Sequence, residues 1–178
     1  EIGLPLAKGS EEAKAVLAKV KEREKEGYSY EAAGGSLELL IRRETGKHVT
    51  RWSLREYQCN FRHYRDGHNP VCEATVNMEV EGIAEHTAAE GHGVVNALDK
   101  ALRQALMRHF PGIEGVSLID YKVRILDGHA ATAARTRVQI VHTDGECTWG
   151  TVGVSDSIIE ASWIALTEGI DLFLQREG

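Results

Sequence analysis

The chain has 178 residues, enough for one well-packed domain or a compact domain with a small appendage. Its formal charge of -6 and pI near 5.8 argue against a nucleic-acid partner, because that binding rests on Lys and Arg neutralising backbone phosphates. No apolar run approaches the roughly 20 residues of a membrane span, and the start is neither a secretory signal nor Met, so the expectation is a cytoplasmic fragment of a longer chain with no membrane partner.

Ser10 is placed to cap a helix whose first turn carries Glu11 and Glu12, with Ala13, Val16, Leu17 and Val20 on one face. Gly27 ends it. A second short helix is predicted from Ser36, with Leu37, Leu40 and Ile41 as its apolar stripe, closed by Thr45-Gly46. Two small helices with narrow stripes bury little alone, so residues 1–46 read as a helical linker subdomain that packs on something else. Residues 47–178 form the second domain.

From Val49 the apolar period changes to two. Tyr57, Cys59 and Phe61 alternate with polar residues, as do Cys72, Ala74, Val76, Met78 and Val80, which predicts half-buried strands joined through the turn-rich Arg65-Asp66-Gly67-His68-Asn69-Pro70. A third short strand is expected at 85–89. Gly91-His92-Gly93 then turns the chain into a helix with Leu98, Ala101, Leu102, Ala105 and Leu106 on one face, stopped by Pro111-Gly112.

The pattern repeats. Sixty residues on, Leu98, Ala101, Ala105 and Leu106 meet Ile158, Ala161, Ala165 and Leu166, while Gly93 meets Gly153 and Asn96 meets Asp156. At the same offset Ala74, Met78 and Val80 meet Ala134, Val138 and Ile140, and with one residue more Asp66-Gly67-His68 meets Asp127-Gly128-His129. The unit is three strands then a helix, present twice at about 50–112 and 113–178, with antiparallel strands. The fold class is α+β.

Several nucleating chemistries are disfavoured. Cys59, Cys72 and Cys147 share no C-x-x-C spacing, so reduced thiols are expected rather than a disulfide framework or zinc knuckle. The eight histidines form no His-x-His or His-x-x-x-His pair, so no metal site is expected; His63 and His68 read as strand and turn residues. Gly91-His92-Gly93 is not a dinucleotide fingerprint, because Asn96 stands where the third glycine would be. No nucleophile, acid and base set can be assigned, so no catalytic residue is named.

The stretch Glu85 to Gly93, followed by Val95-Asn96-Ala97-Leu98-Asp99, resembles the citramalate synthase branch of the isopropylmalate synthase family. So do Asp120 to Arg124 with Asp127-Gly128 and Thr132-Ala133-Ala134, and Trp149 to Ser155 with Ile158 to Trp163. Gly27-Tyr28 with Glu31 and the 37–43 segment resemble the linker that follows that family's catalytic barrel. The family usually reads Gly-Asn-Gly-Pro at the first helix start, where this chain has His92 and Val94 at the Asn and Pro positions. The resemblance implies a regulatory domain of two βββα units, homodimeric, binding isoleucine or leucine near the dimer interface to inhibit a distant barrel of the same polypeptide. That barrel uses a divalent metal and acetyl-CoA. It needs about 250 residues, so neither cofactor is expected in this chain. Arg65-Asp66-Gly67 also looks like the barrel's opening motif, but the repeat matches it to Leu126-Asp127-Gly128, a turn.

An amino-acid site needs a carboxylate acceptor, an ammonium partner and an apolar wall. Backbone N–H groups at a strand-to-helix turn supply the first, and Gly91, Gly93 and Gly153 either admit a ligand to that backbone or merely make tight turns. Asn96, Ser155 and Asp156 suit ligand contact or helix capping. Asp120 and Tyr121 suit an ammonium group, an interface or a solvated turn, and Ala131 to Ala134 suit a branched side chain or close helix packing. With the family's turn residues carried over, the expected effector set is Gly91, His92, Gly93, Val94, Val95, Asn96, Ala97, Asp120, Tyr121, Thr132, Ala133, Gly153, Ser155, Asp156 and Ile158. A second reading is a purely structural dimerisation domain that has lost its effector.

Overall fold

A computed structural model describes residues 9–65, 69–126 and 134–177. Helices α1 (Glu11–Lys25) and α2 (Gly34–Glu44) come first. Strands β1 (Trp52–Arg62), β2 (Val71–Val80) and β3 (Ile83–Gly91) then lead to helix α3 (Val94–Leu106) and a short 3-10 turn at Pro111–Gly115. Strands β4 (Ser117–Ile125), β5 (Thr136–Thr143) and β6 (Thr148–Ser155) lead to helix α4 (Ile158–Glu177). The result is α+β, with two three-stranded antiparallel sheets ordered β1-β2-β3 and β4-β5-β6. The chain divides into two compact units, residues 50–115 and residues 1–49 with 116–178.

In the first unit the alternation in β2 puts Ala74, Val76, Met78 and Val80 on the buried face, where α3 covers them with Ala97, Leu98, Ala101, Leu102, Ala105 and Leu106, all fully buried. Thr87 of β3 donates its hydroxyl to the Ala101 carbonyl at 2.7 Å. Glu85, one of the few buried carboxylates, accepts from Arg108 at 2.8 Å and pairs with His109 Nε2 at 2.9 Å, tying the end of α3 to the start of β3. The third strand is longer at both ends than the expected 85–89.

The second unit repeats this design, with the repeat register at sixty-four residues rather than sixty. Cys72 pairs with Phe61 and Gly91, and Thr136 pairs with Ile125 and Ser155. The register irregularity at Leu54/Glu56 recurs at Leu118/Asp120. A slip of four residues preserves the alternation of a strand and slightly overshoots one helical turn, so apolar stripes still coincide at the wrong offset. The pairing of Gly93 with Gly153 is therefore replaced by Gly93 with Ser157. Asn96 corresponds to Glu160. Asp66–His68 and 127–133 lie outside the described residues, so the turn pairing between them is not described; Arg65 follows β1 on the connection to its antiparallel partner β2.

The linker helices belong to this second unit. Ser10 caps α1 by accepting from Ala13 N at 3.1 Å, as expected, although Leu17 of the predicted stripe is 54% exposed. Val16 packs with Leu40 and Ile41, flanked by Val20 and Leu37. α2 begins at Gly34, two residues before Ser36, whose hydroxyl is used elsewhere: it accepts from Val152 N at 2.8 Å and donates to Glu168. Arg43 donates to Glu168 at 2.9 Å and to Asp171 at 3.2 Å, and Glu38 accepts from Arg176 at 2.6 Å. With β5 and β6 on one side and α2 on the other, α4 is buried around most of its circumference. That explains why its apolar residues are not confined to one stripe as in α3, and why Ser162, Thr167, Asp171 and Gln175 are buried on it as well.

Candidate functional site

Most of the described sequence-derived residues fall at two strand-to-helix turns, one in each unit, while Asp120 and Tyr121 lie on β4. In the first, β3 ends at Gly91 and α3 begins at Val94, with Gly93 as its N-cap in extended backbone, φ -162°. That conformation is open to any residue. A Cβ on Gly93 would meet nothing within 4 Å. No side chain caps α3 and its first turn carries no acid, so its leading amides face an open space at the positive end of the helix dipole. Val94 and Val95 are half-buried beside it and His92 is exposed. Asn96, inside the first turn, accepts from His92 N at 3.2 Å and so holds the loop.

Gly91 does something different. A Cβ there would lie 2.5 Å from Ala97 N and 2.9 Å from Ala97 Cα, so the missing side chain makes room for the start of α3. Gly153 likewise sits under α4, where a Cβ would collide with the Ala161 carbonyl. Both glycines serve helix packing, which leaves Gly93 as the one whose space is open to a ligand.

At the second turn Ser157, missed in the sequence reading, is the cap. Its carbonyl accepts from Ala161 N at 2.9 Å and its hydroxyl from Glu160 N at 3.4 Å, while Ser155 Oγ accepts from Ser157 N at 3.1 Å. Asp156 is exposed and lies 3.8 Å from Arg135 rather than on the helix amides. The Ser157-Ile158-Ile159-Glu160 spacing is a capping-box signature that could have identified it. Ile158 is 46% exposed at this turn. Tyr121 OH lies 2.8 Å from Ser162 Oγ, which donates to the Ile158 carbonyl at 2.6 Å, so the structure joins Tyr121 to the first turns of α4. Asp120 is engaged by Lys122 at 2.6 Å, and that hydrogen bond holds its carboxyl below the usual range. Thr132 and Ala133 lie outside the described residues. Among the described residues no group of His, Cys, Asp and Glu is arranged to hold a metal ion.

The two turns are thus chemically unequal, one with open amides and one with a serine cap, on a twice-repeated βββα frame. The profile of the LeuA allosteric (dimerisation) domain matches residues 31–174, and the chain belongs to that family. It is 48% identical over 99% of its length to an (R)-citramalate synthase of Aquifex aeolicus and 43% identical over 90% to one of Geobacter sulfurreducens. Over 64% of its length it is 33% identical to a 2-isopropylmalate synthase of Aquifex aeolicus. The chain spans about a third of the two citramalate synthases, 34% and 30% of their lengths, and 20% of the isopropylmalate synthase.

Proposed function

We propose that this chain is the feedback-sensing module of an (R)-citramalate synthase, binding isoleucine, with leucine as the next candidate. On this reading it performs no chemistry itself. The condensation of acetyl-CoA with a 2-oxo acid, and the divalent metal it uses, belong to a barrel elsewhere in the same cytoplasmic polypeptide. The observation that carries the effector reading is the uncapped start of α3 beneath the open space at Gly93. Backbone N–H groups there suit a carboxylate, and Val94 and Val95 supply apolar surface beside it.

The module acts as a homodimer. Phe61 and Ile125, equivalent residues on the edge strands β1 and β4, are 58% and 62% exposed on the strand face that their sheet neighbours turn toward a helix. Exposed apolar edges of this kind are normally covered, and a family named for dimerisation supplies the occupant, a second copy. No described helix is long and apolar enough to cross a membrane.

Calorimetric titration with isoleucine, leucine and valine tests the proposal. Saturable heat with isoleucine tightest supports it. A folded dimer that binds none of the three favours the purely structural reading.

A further inference from the structure

A cavity of about 280 Å³ lies wholly within the second unit, between the linker helices and α4. Its volume is near the lower limit of small-ligand pockets, roughly 300 Å³. Tyr28, Tyr30 and Trp163 contribute aromatic surface, Leu40 and Ile164 aliphatic surface, and Glu168 a carboxylate. The two tyrosine rings stack at 6.3 Å, and the Arg23 guanidinium sits 4.9 Å from the Tyr28 centroid.

Glu168 is the chemically pointed group. Its side chain is only 14% exposed, with one oxygen receiving Arg43 at 2.9 Å and the other the Ser36 hydroxyl. Arg43 is divided between Glu168 and Asp171, so two largely buried carboxylates share one guanidinium, while Asp171 also has His48 Nε2 at 2.8 Å and accepts from Gln175 Nε2 at 3.3 Å. Burial pushes the Glu168 carboxyl above its ordinary value in spite of Arg43, as befits a buried acid short of positive charge. Each carboxylate oxygen retains a second acceptor position.

We propose that this cavity is a second amino-acid site, taking a small aliphatic zwitterion with its ammonium on Glu168 and its carboxylate toward Arg23. The ammonium supplies the missing cation and gains the aromatic faces of the tyrosines. A plain alkylamine would enter past Arg23 unfavourably, whereas a zwitterion offers that guanidinium a carboxylate. Leu40 and Ile164 receive the aliphatic body. The site is separate from the effector turn and stands whether or not that turn binds a ligand.

The test follows the Trp163 indole N–H resonance in the whole chain, assigned with Trp163→Phe, during titration with isoleucine, leucine, valine and methionine. The expected result is a saturable shift with at least one amino acid. 3-Methylbutylamine and 4-methylpentanoate, lacking the carboxylate or the ammonium, should each bind at least about tenfold more weakly, the usual scale for one lost charge-assisted contact. Glu168→Gln keeps hydrogen-bonding capacity while removing the charge and should weaken the response by a similar factor. Tyr30→Leu, which removes an aromatic wall of the same cavity but none of the Arg43 ion pairs, should weaken it several-fold if Glu168→Gln loosens α2. Gly93→Val should leave it unchanged. Absence of any saturable shift, an undiminished response in folded Glu168→Gln, an equal response to 4-methylpentanoate, or loss of the response in Gly93→Val would each overturn the assignment.

Discussion

Thr87 and Thr151 make the same hydrogen bond in the two units, each donating its hydroxyl at 2.7 Å to an alanine carbonyl fourteen residues further along, Ala101 and Ala165. Both are buried, and each stitches the third strand of its sheet to the middle of the helix above. Replacing either threonine by valine keeps the shape and removes the donor. Thr87→Val should cost about 1 kcal/mol, and Thr151→Val more, because the Thr151 hydroxyl also pairs with the buried His142 Nε2 at 3.2 Å; both are read as a lowered urea midpoint with an unchanged slope.

That pair also shows what the sequence could and could not disclose. Alternation in 72–80 and the Leu98 to Leu106 stripe were enough to reveal a three-strand-and-helix unit present twice. Register was not, because Ala101 matches Ala161 in character as well as it matches its true counterpart Ala165, one helical turn on. The cap at Ser157 is legible in its spacing to Glu160, although Ser155 and Asp156 are equally good capping residues by type. The contacts of Ser36 with Glu168, 132 residues apart, could not be read from local pattern at all, since neither residue is apolar and nothing nearby marks them as buried.

Gly153 and Gly93 look alike in sequence and differ in kind. Gly153→Ala drives a methyl into the Ala161 carbonyl, and α4 must shift to admit it. A loss of about 1 to 3 kcal/mol is expected for such overpacking, visible as a fall in thermal midpoint. At Gly93 the space is open, and valine should cost only the roughly 1 kcal/mol of a poor N-cap.

Glu85 gives the first unit a pH dependence of defined sign. The His109 hydrogen bond, aided by Arg108, holds its carboxyl below the ordinary 4.5, so the folded state binds that proton less readily than the unfolded state. Its contribution is present above pH 4.5 and is lost as pH falls through the lowered folded value. Wild type should exceed Glu85→Gln in denaturation midpoint at pH 6, with the gap narrowing below pH 4.5. A gap that is constant with pH would show that the pair contributes through packing alone.

Covering Phe61 and Ile125 by a second copy predicts that Phe61→Glu and Ile125→Glu convert the dimer to a folded monomer at micromolar concentration. Dimer interfaces bury on the order of 1,600 Å², and a carboxylate placed in one must be desolvated without a partner. Light scattering over a dilution series reads the result. Dimers of undiminished stability in both variants would place the interface elsewhere.

The central claim is that the open start of α3 receives the carboxylate of a branched-chain amino acid, and the most direct measurement is isoleucine affinity by calorimetry in wild type and Gly93→Val, each paired with its ligand-free thermal midpoint. The valine side chain occupies the space over the leading amides without straining an extended backbone. Affinity should fall about tenfold to a hundredfold, the cost of one charge-assisted hydrogen bond of roughly 1.5 to 3 kcal/mol, while the midpoint falls only by the roughly 2 to 4 °C that about 1 kcal/mol represents. Unchanged isoleucine affinity in a well-folded Gly93→Val chain would contradict the claim.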